Sequence, residues 1–128
     1  MELAKKYSLE RVQFGKPICE FQAIQFLLAD MAMKVEAARL LIYRAVVNAG
    51  NGLPSVFEAS VAKCFANEIA KEVTDMALQV FGGNGYSKEF PIERLLRDSR
   101  GWPLAGGTVQ IQRINIASAM LGRRFNQR

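Results

Sequence analysis

The sequence contains no histidine. That absence removes Ser-His and Cys-His nucleophilic systems, imidazole general bases and histidine-containing zinc sites. Cysteine is nearly absent as well: Cys19 and Cys64 stand far apart and form no CxxC pair. A metal cage or a disulfide framework is therefore not expected, and free thiols suit a reducing interior. No uninterrupted apolar run approaches the ~20 residues needed to cross a bilayer. The N-terminal stretch MELAKKYSLERVQF has neither the apolar core nor the small-residue cleavage site of a signal peptide. The expected location is the cytoplasm, or an organelle matrix in a eukaryote. Proton chemistry has to come from Asp, Glu, Lys or Tyr, or from a cofactor.

What is present describes a single globular unit over residues 1–128, half of it apolar and 23% charged. Seventeen Lys and Arg against twelve Asp and Glu give a net charge of +5. The cations are dispersed and form no one-sided stripe, so nucleic acid is not an expected partner. A solvated basic surface and a phosphate-bearing ligand both remain compatible with the charge.

Apolar spacing predicts an all-α chain, an antiparallel bundle of the four-helix kind. Phe21, Ile24, Leu28, Met31, Val35, Ala38, Ile42, Ala45 and Ala49 step by three and four, the seam of a long helix. Pro17 precedes it, and Gly50, Asn51, Gly52 and Pro54 close it. A second rod begins at Ser55, with Glu58 completing a capping box, and carries Ala59, Ala62, Ala66, Ile69, Val73, Met76 and Val80. It is expected to end at Gly82-Gly83-Asn84-Gly85, where no helix should survive. A short helix is expected after Pro91, and an irregular loop over 99–107. Thr108 then caps a last helix with Ile111, Ile114, Leu121 and Phe125 turned inward, before a frayed or partner-held tail from Gly122 to Arg128. Residues 1–9 read as the last turns of another helix, with Leu3, Ala4, Tyr7 and Leu9 apolar. Two rods and two shorter helices leave seams uncovered, which a missing part or another subunit would fill.

Three stretches exceed what bundle packing requires. In Glu10-Arg11-Val12-Gln13-Phe14-Gly15-Lys16-Pro17-Ile18, an interhelical turn explains the Gly and Pro, while Arg11 and Lys16 suit a phosphate and Phe14 a flat apolar face. In Gln79-Val80-Phe81-Gly82-Gly83-Asn84-Gly85-Tyr86, a glycine cap competes with a turn that lets a ligand reach the backbone. Neither phosphate-loop fingerprint is matched there. In Gly106-Gly107-Thr108-Val109-Gln110-Ile111-Gln112-Arg113, a simple helix cap competes with an anion-receiving helix start.

Together these stretches resemble the C-terminal domain of the acyl-CoA dehydrogenase family. The matching motifs are ERVQFGKPICEFQAIQFLLADM, EAARLLIYRA, AKCFANEIA, QVFGGNGYSKEFPIERLLRD and GGTVQIQRINIA, in family order and over nearly the whole chain. The resemblance implies a flavoenzyme with an N-terminal helical domain, a middle β domain and this bundle, usually assembled as a homotetramer, with FAD between subunits. It implies that Arg11, Gln13, Phe14 and Gln22, with Gln79, Gly82 and Gly83, meet the FAD of a neighbouring subunit. Thr108 and Gln110 would meet the subunit's own FAD, and Tyr86 and Gly107 would lie near the acyl-CoA thioester. The implied reaction is α,β-desaturation of an acyl-CoA, with electrons passed on to a separate acceptor.

Most members carry the proton-abstracting glutamate as Glu-Gly-Thr; here that position is Gly106, which cannot accept a proton. Three readings follow. The base sits on the preceding bundle helix, as in a subset of the family. The chain belongs to a relative with altered chemistry, such as an enoyl-CoA reductase or a carnitine-pathway enzyme. Or it is a non-catalytic subunit or interaction module of a mixed oligomer. No residue of this chain is assigned a catalytic role, and the isolated chain is expected not to turn over acyl-CoA, not to retain FAD, and to self-associate as a dimer or tetramer.

Overall fold

In the computed structural model, which describes residues 1–125, two long helices form the frame: α2 (Gln22–Ala49) and α3 (Val56–Phe81). Residues 126–128 of the expected tail lie outside the described residues. Both rods stop where the punctuation predicts, at Gly50 and at Gly82, each with positive φ. Ser55 caps α3 as expected, its hydroxyl accepting the Glu58 N–H. The two rods are antiparallel in a fixed register: Asn48 bonds Glu58 near the connecting turn, and Lys34 pairs with Glu72 farther away.

Around this frame lie α1 (Glu2–Glu10), a ribbon of β1 (Val12–Gln13) and β2 (Lys16–Pro17), and a 3-10 turn at Ile18–Glu20. After α3 come α4 (Gly83–Tyr86), α5 (Ile92–Gly101), a 3-10 turn at Trp102–Leu104 and α6 (Val109–Met120). The all-α architecture holds, with three local corrections. The ribbon was not expected from the sequence; its strands are two residues each, too short for any alternation to register. The glycine run after Gly82 does form a turn of helix, α4, because Gly85 N–H bonds the Gly82 carbonyl. The expected loop over 99–107 is helical up to Leu104, since Gly101 and Pro103 sit at a helix end and at a 3-10 start that tolerate them.

Helix α3 is the hub, packed against α1, α2, α5 and α6. Its buried residues therefore fall on several sides: Ser60, Ala62, Cys64, Ile69, Val73, Ala77, Val80 and Phe81. Ala59, placed on a single seam by its spacing, is exposed while Ser60 is buried for this reason. The main core joins Ala4, Ile18, Met31, Ile69, Val73, Ala77, Val80, Phe81 and Ile92. Of the apolar residues expected on α1, Ala4 and Tyr7 pack inward while Leu3 and Leu9 are exposed. In α6 the buried residues are Val109 and Gln112; Ile111, Leu121 and Phe125 face outward instead of inward, because α6 meets α3 through its first turns. Farther along the rods Ile42, Tyr43, Ile69 and Val73 line an open apolar groove of about 450 Å³, the uncovered seam that the helix count implied.

Ion pairs tie α3 to its neighbours. Glu68 receives Arg113 of α6 at 2.8 Å and Lys71 at 3.3 Å. Burial acts to raise the Glu68 carboxyl, but Lys71 and Arg113 together outweigh it and hold the group below the ordinary glutamate range. The stability this lends is present above the ordinary glutamate pKa, about 4.3, and is lost as pH falls through the lower folded value. Urea midpoints measured from pH 7 down to pH 3 are expected to fall, and Glu68→Gln should flatten part of that fall. An unchanged slope in the variant would show the pairs to be inert.

Candidate functional site

The end of α1, the ribbon and the end of α3 enclose a groove of about 530 Å³. Arg11 ends α1: its N–H bonds the Tyr7 carbonyl, and its own carbonyl accepts Ile18 N–H at 2.9 Å. These bonds turn the chain sharply, so the exposed guanidinium stands at the groove mouth. The ribbon turns on Phe14 (φ 52°) and Gly15 (φ 81°). Phe14 is 92% exposed, yet its ring meets Phe21 edge-on at 6.1 Å, and Lys16 covers Phe21 at 4.5 Å. Gln13 lines the groove with its amide bonded to its neighbour's carbonyl, Val12 O, at 2.7 Å.

The opposite wall is the glycine turn. Gly82 and Gly83 line the groove, and a Cβ built on either meets nothing within 4 Å, so an incoming ligand has open access to their backbone. Gly85 behaves differently: a Cβ there would sit 2.7 Å from the Leu78 carbonyl oxygen, so α4 folds back tightly on α3. Behind the turn, Tyr7 stacks on Phe81 at 4.1 Å and 15°, with Phe90 edge-on to both. Asn84 Nδ2 donates to the Tyr7 hydroxyl at 2.8 Å, joining the chain's first helix to the glycine turn.

The structure thus brings together Arg11, Gln13, Phe14, Gly82 and Gly83 from two separated motifs. Gln22, the first residue of α2, and Gln79, in the last turn of α3, are both exposed close by but do not line the groove. Tyr7, Ile18, Phe21 and Asn84 line it and were not singled out as site residues from the sequence. The signal for Tyr7 was available: it precedes Arg11 by four residues, one helical turn.

A second cluster forms at the start of α6. Gly106 (φ 58°) and Gly107 (φ 90°) take left-handed conformations that lead into Thr108, whose hydroxyl accepts Ile111 N–H. Lys63 of α3 donates to the carbonyls of Ala105 and Gly106, and Gln112 donates to that of Gly107 at 3.2 Å. Three consecutive carbonyls are thereby fixed, and the Thr108 cap takes up one of the N–H groups that a helix start leaves without an intrahelical partner. Gln110 is exposed beside them. Lys63 had no sequence signal, because its partners lie 42 and 43 residues away. A Cβ on Gly106 would come within 3.3 Å of Lys63 Nζ. A carboxylate built out from this position would meet an ammonium, which favours its charged form and weakens it as a base.

Along α3, Lys63 and Phe81 are 18 residues apart. At 1.5 Å per residue that separates the two clusters by ~27 Å. Tyr86 belongs to the far end as well: 86% exposed, it stands beside Leu78, Lys88 and Leu96, whereas Gly107 adjoins Lys63. Within this one chain the two are not brought together.

Residues 1–121 match the family model described as acyl-CoA dehydrogenase, C-terminal domain. The chain belongs to the acyl-CoA dehydrogenase family. It is 46% identical over 127 residues to a 3-sulfinopropanoyl-CoA desulfinase of Paraburkholderia xenovorans, covering 99% of this chain and 32% of that protein. It is 50% identical over 122 residues to the probable acyl-CoA dehydrogenase fadE25 of Mycobacterium leprae, covering 94% of this chain and 31% of the relative. The structure of butyryl-CoA dehydrogenase from Megasphaera elsdenii superposes with a TM-score of 0.88 at 46% identity, over 92% of this chain and 31% of that one. The chain thus spans about a third of the length of the curated relatives it matches. Within the family it corresponds to the helical C-terminal domain. Among the described residues no helix is long and apolar enough to cross a membrane, and no three potential ligand residues cluster as a metal site.

Proposed function

We propose that this chain is the FAD-contacting and assembly domain of an acyl-CoA-oxidising flavoenzyme, and that it addresses two flavins rather than one. The observation that carries this is the ~27 Å between its two clusters at opposite parts of α3. Arg11, Gln13, Phe14, Gly82 and Gly83, flanked by Gln22 and Gln79, face the FAD of a neighbouring copy. Thr108 and Gln110 face the FAD of the same copy, with Gly107 and, from another part of the surface, Tyr86 towards the acyl-CoA.

The residues fit the cofactor. An exposed guanidinium and the start of a helix suit a pyrophosphate, Phe14 and Phe21 offer aromatic faces, and the open backbone at Gly82 and Gly83 permits close approach. When bound, the flavin supplies hydride acceptance for the desaturation. This chain's residues bind and orient: Arg11 neutralises phosphate charge, Thr108 and the N–H groups of α6 present donors, and Lys63 holds the Gly106–Gly107 turn in place. None of them moves the substrate proton. Gly106 and its Lys63 neighbour also favour a second reading beside simple desaturation, a relative with altered chemistry such as an enoyl-CoA reductase or a carnitine-pathway enzyme.

Two measurements on the purified chain test the proposal. With added FAD and a dye acceptor, it is expected to oxidise no acyl-CoA; turnover would overturn the assignment of the missing chemistry to other parts of the enzyme. In an NMR titration with ADP at millimolar concentration, amide shifts are expected at Arg11, Gly82 and Gly83, and Arg11→Ala should weaken binding about tenfold. A groove that does not respond to ADP would overturn the flavin reading.

A further inference from the structure

The groove between α1, the ribbon and the glycine turn holds a polar pair to which none of the flavin contacts above assigns a role. Tyr7 and Asn84 both line it. Asn84 Nδ2 donates to the Tyr7 hydroxyl, and among the described residues no other partner reaches the polar side-chain atoms of either. The Tyr7 hydroxyl therefore still has a proton to give, and Asn84 Oδ1 still has lone pairs to offer. Neither group is free to rearrange. The Tyr7 ring is held by Phe81 and Phe90, and Asn84 belongs to α4, which Gly85 lets fold tightly onto α3.

A fixed donor beside a fixed acceptor is complementary to a ligand edge that sets an acceptor beside a donor. Adenine has such an edge, its amino group adjoining a ring nitrogen, and asparagine is a recurrent partner of it. The surroundings suit a base as well. Ile18, Phe21, Ile24 and Val80 give the groove an apolar lining, and among the described residues Arg11 is its one charged lining residue. Arg11 follows Tyr7 by one helical turn, bonded to its carbonyl at 2.8 Å. Side chains one turn apart start ~5–6 Å from each other, a gap that a ribose can bridge between base and phosphate.

We propose that Tyr7 and Asn84 are specificity-determining residues of this groove and select adenine. Tyr7 donates to a ring nitrogen, Asn84 Oδ1 accepts from the amino group, and Arg11 takes the attached diphosphate. The proposal rests on the flavin reading of the groove and adds to it the choice of base.

Titration of the full chain with nucleoside diphosphates, followed by amide NMR, tests it. ADP is expected to bind about tenfold more tightly than IDP, which has the same size but a carbonyl in place of the amino group. In Asn84→Ala the two should come within about twofold of each other. Tyr7→Phe, which keeps the ring stack, should weaken ADP binding about fivefold. Coenzyme A carries adenine beside an additional ribose phosphate and separates the two sources of the base; it is expected to bind more weakly than ADP, and tighter binding would overturn the assignment to the flavin dinucleotide. Equal binding of ADP and IDP with shifts at Arg11, or a preference for ADP that survives Asn84→Ala, would overturn the choice of base and leave the flavin reading standing. No response to ADP at all would overturn both.

Discussion

Gly85→Ala is expected to destabilise the chain by about 2 kcal/mol or more, because the added methyl has no room. Its position would lie 2.7 Å from the Leu78 carbonyl oxygen and 2.9 Å from Phe81 Cβ, both fixed parts of α3. Relief requires α4 to lift off, which would displace Asn84 and release Tyr7. The groove should therefore lose its ADP response even at urea concentrations where the bundle stays folded. Gly83→Ala is the control: nothing lies within 4 Å of its Cβ, so its stability should change by no more than about 0.5 kcal/mol. Urea unfolding of the two variants reads the contrast directly, and equal midpoints would sink it.

Tyr7→Ala carries the second large effect, about 3 kcal/mol. It removes the ring that stacks on Phe81, the edge contact to Phe90 and the hydroxyl bonded by Asn84. Helix α1 is only nine residues long, too short to persist alone, so its order depends on this docking. Tyr7→Phe keeps the stack and loses the hydrogen bond, and should cost about 1 kcal/mol. Thermal unfolding separates the two variants, and amide exchange should show α1 opening first in Tyr7→Ala. A Tyr7→Ala cost no larger than that of Tyr7→Phe would mean the aromatic stack does not hold α1.

The long rods were legible because their apolar residues repeat over many turns and glycine closes each end. The errors share a physical origin: they fall where one or two bonds decide the conformation. Glycine was read at Gly83 and Gly101 as a breaker, but a helix start and a helix end both tolerate it. The Phe14–Gly15 ribbon left no periodic trace. Spacing also cannot say how many neighbours a helix has, so the burial of Ser60 in place of Ala59 was invisible until α3 proved to be the hub. For the site, the motifs carried the residue types and the family, but not their distribution. That Gly107 and Tyr86 attach to different parts of α3, and that Lys63 reaches Gly106, are consequences of packing between distant segments.

Phe14 gives the ribbon a further consequence. A non-glycine residue at positive φ carries a conformational penalty of about 1–3 kcal/mol, and this ring, 92% exposed, recovers little of it by burial within the chain. The backbone bonds between the strands keep it there regardless of any partner. A flexible tip would surrender about 1–2 kcal/mol of backbone entropy per residue at the moment of docking. Here that ordering has already occurred during folding, so an arriving surface meets an aromatic finger of settled direction. Encounter at this corner of the molecule should behave as rigid recognition, with little change of shape at the tip between the free and the bound protein.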